Sequence, residues 1–300
     1  MGTSRIKQIG IYVGKHLRLF KNERGWKMLI FSAVIAFIVS SVLGSTMFVT
    51  DFDTFSGYFA LVSTCIWLGI FNSIQSICKE RAIIKREHRT GLHISSYVIS
   101  HMIYQFIICL LEALIILGIS SISLNYPTNT SLIGSIYLEH FITYFLLIYA
   151  SDILGLAISA IVKSPTTAMT VMPFVLIIQL LFSGLLFELE GNLSVVSKFT
   201  LSKWGLNATC ISADYNNLES VEKKEIEYYV ERAFINKNIP ATPDMIDQVV
   251  NEIYNDNYII PAYLHETKNL FKQWGIIIIH TLVYGFISIF ALEFIDKDKR

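Results

Sequence analysis

A chain of 300 residues that is 53% hydrophobic and 16% charged, with mean hydropathy +0.51, has too few charges to clothe its apolar surface in water. Lys plus Arg and Asp plus Glu are equal at 24 each, so the zero net charge excludes a globally basic nucleic-acid binder and an acidic disordered chain. The composition points into a bilayer.

The chain opens on a basic stretch, residues 1–27. Ile6, Ile9, Val13, Leu17 and Phe20 fall at helical intervals with Lys7, Lys15, Arg18 and Lys21 between them. This is the pattern of an amphipathic helix lying along a membrane surface. It is not a signal peptide, because its charges precede the first apolar run by many residues and no small-residue cleavage site follows.

A spanning helix needs about 20 mainly apolar residues. Six intervals between charges qualify: 28–49, 57–78, 97–121, 135–160, 167–188 and 273–294. Basic flanks set the orientation. Residues 1–27 carry seven Lys/Arg against Glu23 alone, and the segment 79–90 carries Lys79, Arg81, Lys85, Arg86 and Arg89 against Glu80 and Glu87. Both are expected in the cytoplasm, together with Lys163 in the short turn 161–166 and the tail Asp296 to Arg300. Asp51 and Asp53, and the uncharged loop 122–134, are expected outside. The domain order is therefore a cytoplasmic helix (1–27), spans one to five (28–189) with a charged helix at 79–90, an external helical loop or cap (190–272), and the last span with a cytoplasmic tail (273–300).

Within 190–272, Val221, Ile226, Tyr229, Val230 and Phe234 recur at near-helical spacing. Thr242-Pro243-Asp244 reads as the start of a second helix, whose face is Ile246, Val249, Val250 and Ile253. An ordered loop with no ligand of its own remains the plainer alternative. Of Cys65, Cys78, Cys109 and Cys210, only Cys210 is expected outside the membrane, as a free thiol or, alternatively, a bridge between chains. No CxxC spacing or histidine pair indicates a metal.

Catalytic motifs are missing. Gly10 to Lys15 is too short for a phosphate-binding loop, no HExxH or GxSxG occurs, and Glu139 and His140 diverge because adjacent helical residues do not share a face. Acids inside spans carry more information, since a carboxylate at the bilayer centre costs roughly 2.5–3.5 kcal/mol and needs a partner. Glu112 and Asp152 are the deep ones. Counted along the helices, Gln105 lies at the depth of Asp152, and Gln179 near that of Glu112. A structural contact between helices and a proton relay or substrate contact both stay open. Glu139, Glu188 and Glu293 sit near span ends, within reach of the interface.

Several runs resemble the ABCG (white-like) type-2 ABC exporters. Between Ser76 and Tyr97 the residues Glu80-Arg81, Arg86-Glu87, Gly91 and Tyr97 match the pattern after that family's second span. Leu181-Phe182-Ser183-Gly184-Leu185-Leu186 is similar to the end of its fifth, Ser202 to Ala208 to the element that follows, and Gln8 to its connecting helix. The resemblance implies an all-α membrane protein with six transmembrane helices, an ABCG-like type-2 ABC exporter fold, an N-terminal amphipathic connecting helix and a helical extracellular loop before the last span.

The resemblance also implies roles. Glu80, Arg81, Lys85, Arg86, Glu87 and Arg89 would form a helix that couples to the ATP-binding domain, a use that suits a dense run of charges. Leu185 and Leu186 would be a hydrophobic gate, since apolar constrictions resist water and ions. Leu68, Phe71, Asn72, Gln75, Thr170, Phe174 and Ile178 would line the central cavity. Leu68 stands where some members have a drug-stacking phenylalanine, which puts aromatic clamping in doubt.

The chain itself is expected to bind no cofactor, with ATP and magnesium on a separate ATP-binding subunit. Six spans imply a homodimer or a heterodimer with a related permease. The expected function is the permease subunit of an exporter in a bacterial plasma membrane, moving an amphipathic drug, lipid or peptide. A polysaccharide-type permease is the nearest alternative, and a membrane sensor or immunity protein using the external cap is the alternative from another class.

Overall fold

The computed structural model describes residues 4–44, 47–184, 191–236, 242–253 and 260–294. The described residues form twelve α-helices and no β-strand longer than one isolated bridge. α1 (Arg5–Asn22) begins at Ser4, whose side chain accepts the Lys7 amide, and ends at Glu23. A turn through Arg24 and Gly25 leads into α2 (Trp26–Leu43), and Gly44 ends that helix.

α3 (Asp51–Ser73) is capped by Thr50 and carries Asp51 and Asp53 in its first turn, where acids favour the helix dipole. It runs through Ile74 and Gln75 into α4 (Ser76–Arg89), which contains most of the expected 79–90 segment. α5 (Ile94–Ser123) and α6 (Ile136–Ile161) follow. α7 (Pro165–Leu181) starts with Ser164 as N-cap and proline in its first turn.

Five helical stretches, Trp26–Leu43, Asp51–Arg89, Ile94–Ser123, Ile136–Ile161 and Thr267–Glu293, are long and apolar enough to cross a bilayer. The last of them is α12. The interval 167–188 contains the shorter apolar helix α7. Its 17 residues rise only about 25 Å against a hydrocarbon thickness of roughly 30 Å. The helix stops at Leu181, and Gly184 at φ 96° takes a backbone conformation that no helix continues.

The core lies where α3 and α6 cross. A Cβ on Gly69 would stand 2.8 Å from the Ser151 Cβ, and one on Gly155 would stand 2.8 Å from the Ile70 carbonyl oxygen. Two glycines thus let the two backbones touch, a packing mode that suits helices in lipid. α5 and α12 close over α6, and α1 and α2 lie against α5.

The segment after α7 departs from expectation. α8 (Asn192–Ser197) is short, and α9 (Leu201–Ser212) is buried among α3, α6 and α12 rather than solvated outside. Twelve residues are too few to register as a span, and they carry one charge, Lys203. Cys210, expected outside the membrane, is fully buried, so it offers no surface thiol for a bridge between chains.

Only α10 (Val221–Asn236) and α11 (Pro243–Ile253) have the character expected of the cap. They pack on each other around an apolar hollow of about 480 Å³ lined by Ile226, Tyr229, Val230, Phe234, Val249 and Ile253. The chain before α10 is pinned to the bundle by Asp51, whose amide donates to the Glu219 carbonyl and whose Oδ1 accepts from the Val221 amide. The chain before α12 is pinned by Asn216, which bonds both the amide and the carbonyl of Ile260.

Candidate functional site

α4 is held in place by α1. Gln8 donates from Nε2 to the Gly91 carbonyl at 3.0 Å and accepts the His93 amide at 3.0 Å, clamping the turn between α4 and α5. Tyr12 donates to Glu87 Oε2 at 2.7 Å, and Lys15 pairs with Glu80 Oε2 at 2.9 Å. Tyr97 also donates to Glu80, at 3.0 Å. Burial first, and the Glu87 carboxylate second, push the Tyr12 hydroxyl above its ordinary pKa, so it stays a donor.

Of the six charged residues expected to face a partner, Glu80 and Glu87 are therefore tied to α1. Arg81 reaches the other way, donating to the carbonyls of Ala160 at 2.7 Å and Val162 at 3.3 Å, the end of α6. Arg86 and Arg89 are exposed and Lys85 is half-buried. Glu80, Glu87 and Arg81 fasten α4 to its neighbours while Arg86 and Arg89 face outward, a division that the sequence alone does not reveal.

Both deep acids are fully buried. Glu112 on α5 accepts from Ser32 Oγ on α2 at 2.8 Å and from Asn72 Nδ2 on α3 at 2.7 Å, so one carboxylate joins three helices. Asp152 on α6 accepts from Gln105 Nε2 at 3.2 Å and from Cys109 Sγ at 3.3 Å. Ser73 donates to the Asp152 carbonyl. The Gln105–Asp152 bond is the one that equal depth makes feasible.

Gln179 does not meet Glu112. Its Oε1 accepts from the amides of Leu201 at 2.8 Å and Ser202 at 3.2 Å, and Ser202 donates its hydroxyl to the Gln179 carbonyl. Equal depth fixes height along a bundle but not direction around it. Gln179 thus supplies acceptors for two of the orphan N–H groups that open α9.

Glu139 is also a correction. It is fully buried inside the protein rather than reaching outward, and its Oε1 accepts from the amides of Leu132 at 2.6 Å and Ile133 at 2.7 Å. Its neighbour His140 accepts on Nε2 from Tyr58 at 2.7 Å, because Nδ1 must donate to the Ile136 carbonyl. Glu293 is exposed, and Glu188 lies outside the described residues.

The expected cavity set divides. Phe71, Thr170, Phe174 and Ile178 are exposed on neighbouring faces of α3 and α7. Asn72 turns to Glu112 and Gln75 is half-buried. Leu68 is 5% exposed and belongs to the core, so it lines no open surface of the chain. Trp67, one helical turn before Phe71 and 44% exposed, takes the outward position instead. Leu185 and Leu186 lie outside the described residues.

At the same end as α4, a cavity of about 590 Å³ opens between α1, α2, α3, α5 and α7. His16, Asn72, His101 and Gln105 are among the residues that line it. The His16 and His101 rings lie 3.9 Å apart between centroids and are tilted by 44°, and burial lowers the His16 pKa to about 4, which spares the pair a charge on His16. Neither histidine carries a signal in the sequence, since their partners come from other helices.

A family model described as ABC-2 type transporter matches residues 8–211. The chain is 27% identical over 226 residues, 71% of its length, to the ABC transporter ATP-binding/permease protein Rv1747 of Mycobacterium tuberculosis, and the match covers 26% of that protein. The chain thus spans about a quarter of that relative's length.

Proposed function

Because the chain belongs to the ABC-2 type transporter family, we propose that it is the transmembrane permease subunit of an ATP-driven exporter that moves an amphipathic drug, lipid or peptide outward. Its family and its apolar helices make it a membrane protein and a permease component rather than a nucleotide-binding domain. The finer reading places ATP and magnesium on a separate ATP-binding subunit, α1 and α4 in the cytoplasm of a bacterial cell, and a second permease across a two-fold axis. Leu185 and Leu186 keep the role of hydrophobic gate in this proposal.

The observation that carries it is the fastening of α4. A short helix with outward basic groups is bonded through Glu80 and Glu87 to α1 and through Arg81 to the end of α6. A push on α4 by a docked ATPase would therefore reach both α3, which α4 continues, and α6. The exposed faces of α3 and α7 would meet their counterparts across the dimer, and closing them would displace substrate.

Glu87→Ala removes the acceptor of Tyr12 and loosens this linkage. In a reconstituted complex with the ATP-binding subunit, it should reduce substrate-stimulated ATP hydrolysis several-fold while leaving the basal rate of that subunit unchanged. Stimulation equal to the parent would contradict the role given to α4. The apolar hollow between α10 and α11 favours the sensor reading as a second possibility, and deletion of 221–253 with transport retained would remove it.

A further inference from the structure

The walls of the 590 Å³ cavity have an unusual polarity. Asn72 and Gln105 each give an N–H of the NH₂ group to a carboxyl oxygen, of Glu112 and Asp152 respectively. In this arrangement the carbonyl oxygens, Asn72 Oδ1 and Gln105 Oε1, are left buried without a partner. His101 follows the same logic. Tyr97 donates its one hydrogen to Glu80, so it must accept from His101 Nε2, and His101 Nδ1 is a third buried acceptor without a partner.

Three helical residues thus each hold one buried acceptor without a partner. Gln105 and His101 are 2% and 5% exposed, so bulk water does not solvate them freely. An unpaired buried acceptor is costly, and a ligand with matching donors recovers that cost. Glu23 on the same wall adds a carboxylate that favours a positive charge. The lysine on the wall, Lys79, is exposed on α4 with a stem long enough to reach solvent. The rest of the wall mixes apolar side chains, Phe20, Met28, Phe71 and Met169 among them, with polar ones such as Ser76 and Tyr104.

We propose that this cavity binds the primary ammonium group of an amphiphile, with the three acceptors taking its three N–H donors and the apolar side chains of the wall taking its chain. The volume falls in the range of sites that hold drug-sized molecules. The proposal concerns binding and stands whether or not the chain transports what it binds.

The test uses the full chain in phosphatidylcholine nanodiscs without nucleotide, with binding of dodecylammonium measured by calorimetry against empty discs. Dodecylammonium should bind saturably and about tenfold more tightly than dodecyltrimethylammonium, which has the charge but no N–H, and than dodecyl sulfate. Met169→Trp narrows the cavity while leaving the polar network intact, and should weaken binding by about tenfold. Gln105→Met should do the same by removing one acceptor. Equal affinity for the three probes, or undiminished binding in Met169→Trp, would overturn the assignment. Discs containing phosphatidylethanolamine separate two sources of the same ammonium group. Competition there assigns the site to the lipid, and an unchanged dodecylammonium signal assigns it to a free amphiphile; either outcome upholds the ammonium site.

Discussion

α9 and α10 are separated by eight residues, both lie in the stretch between the fifth and last expected spans, and they have opposite fates. α9 is buried inside the helix bundle, while α10 carries Glu222, Glu225, Glu227, Glu231, Lys223, Lys224 and Arg232 on a largely exposed helix. The difference lies in how backbone and side chain are satisfied. A short helix can be buried only if its ends are paired, because unpaired backbone groups are costly away from water. α9 meets that condition through Gln179 at its start and His265, whose Nδ1 bonds the Ile211 carbonyl at 2.6 Å, near its end. α10 meets it through water and one apolar stripe.

Breaking the caps of α9 should have the largest effect. Gln179→Leu leaves the amides of Leu201 and Ser202 buried without acceptors, so thermal unfolding in detergent should show a loss of roughly 3 kcal/mol. A change below about 0.5 kcal/mol would show that α9 is solvated after all.

Gly205 tests the packing on the same helix. A Cβ there would stand 2.6 Å from the Leu147 Cδ2, so Gly205→Ala should cost about 1–3 kcal/mol through overpacking. Cys210 gives the contrast a chemical readout. A membrane-permeant maleimide should leave it unmodified in the folded protein and label it fully after denaturation. Substitutions across the divide are expected to be mild: Tyr229→Ser on α10 and Ile253→Ser on α11, at 68% and 60% exposed, should each shift stability by no more than about 0.5 kcal/mol.

A smaller effect of the same kind belongs to α1. Burial holds the His16 pKa near 4, below the ordinary 6.5, so the folded chain binds fewer protons than the unfolded one between those values. The contribution is whole above pH 6.5 and is lost as pH falls toward 4. Melting at pH 7.5 and pH 5 should show His16→Phe losing less stability on acidification than the parent does.

Much of this was open to sequence reasoning because bilayer thickness and charge spacing constrain long helices strongly. α2, α5, α6 and α12 lie within or close to the intervals read from gaps between charges, and the amphipathic periodicity of α1, α10 and α11 corresponds to helices. α9 escaped because twelve residues resemble any mildly apolar loop segment, and its burial depends on Gln179 and His265, distant in the chain. The Gln105–Asp152 bond was legible from depth. The Ser32–Glu112 bond was not, since a serine in an apolar run carries no sign of its partner. Glu139 was misplaced for a related reason: proximity to a span end says nothing about a loop folding back over the carboxylate.

We propose that this chain moves a substrate when a partner hydrolyses ATP. Proteoliposomes containing the permease and its ATP-binding subunit, loaded with a fluorescent long-chain amine, test it most directly. Vectorial, ATP-dependent movement of the amine is expected, abolished when the ATPase is inactivated and reduced by Glu87→Ala. Saturable binding of the amine with no ATP-dependent movement would contradict it.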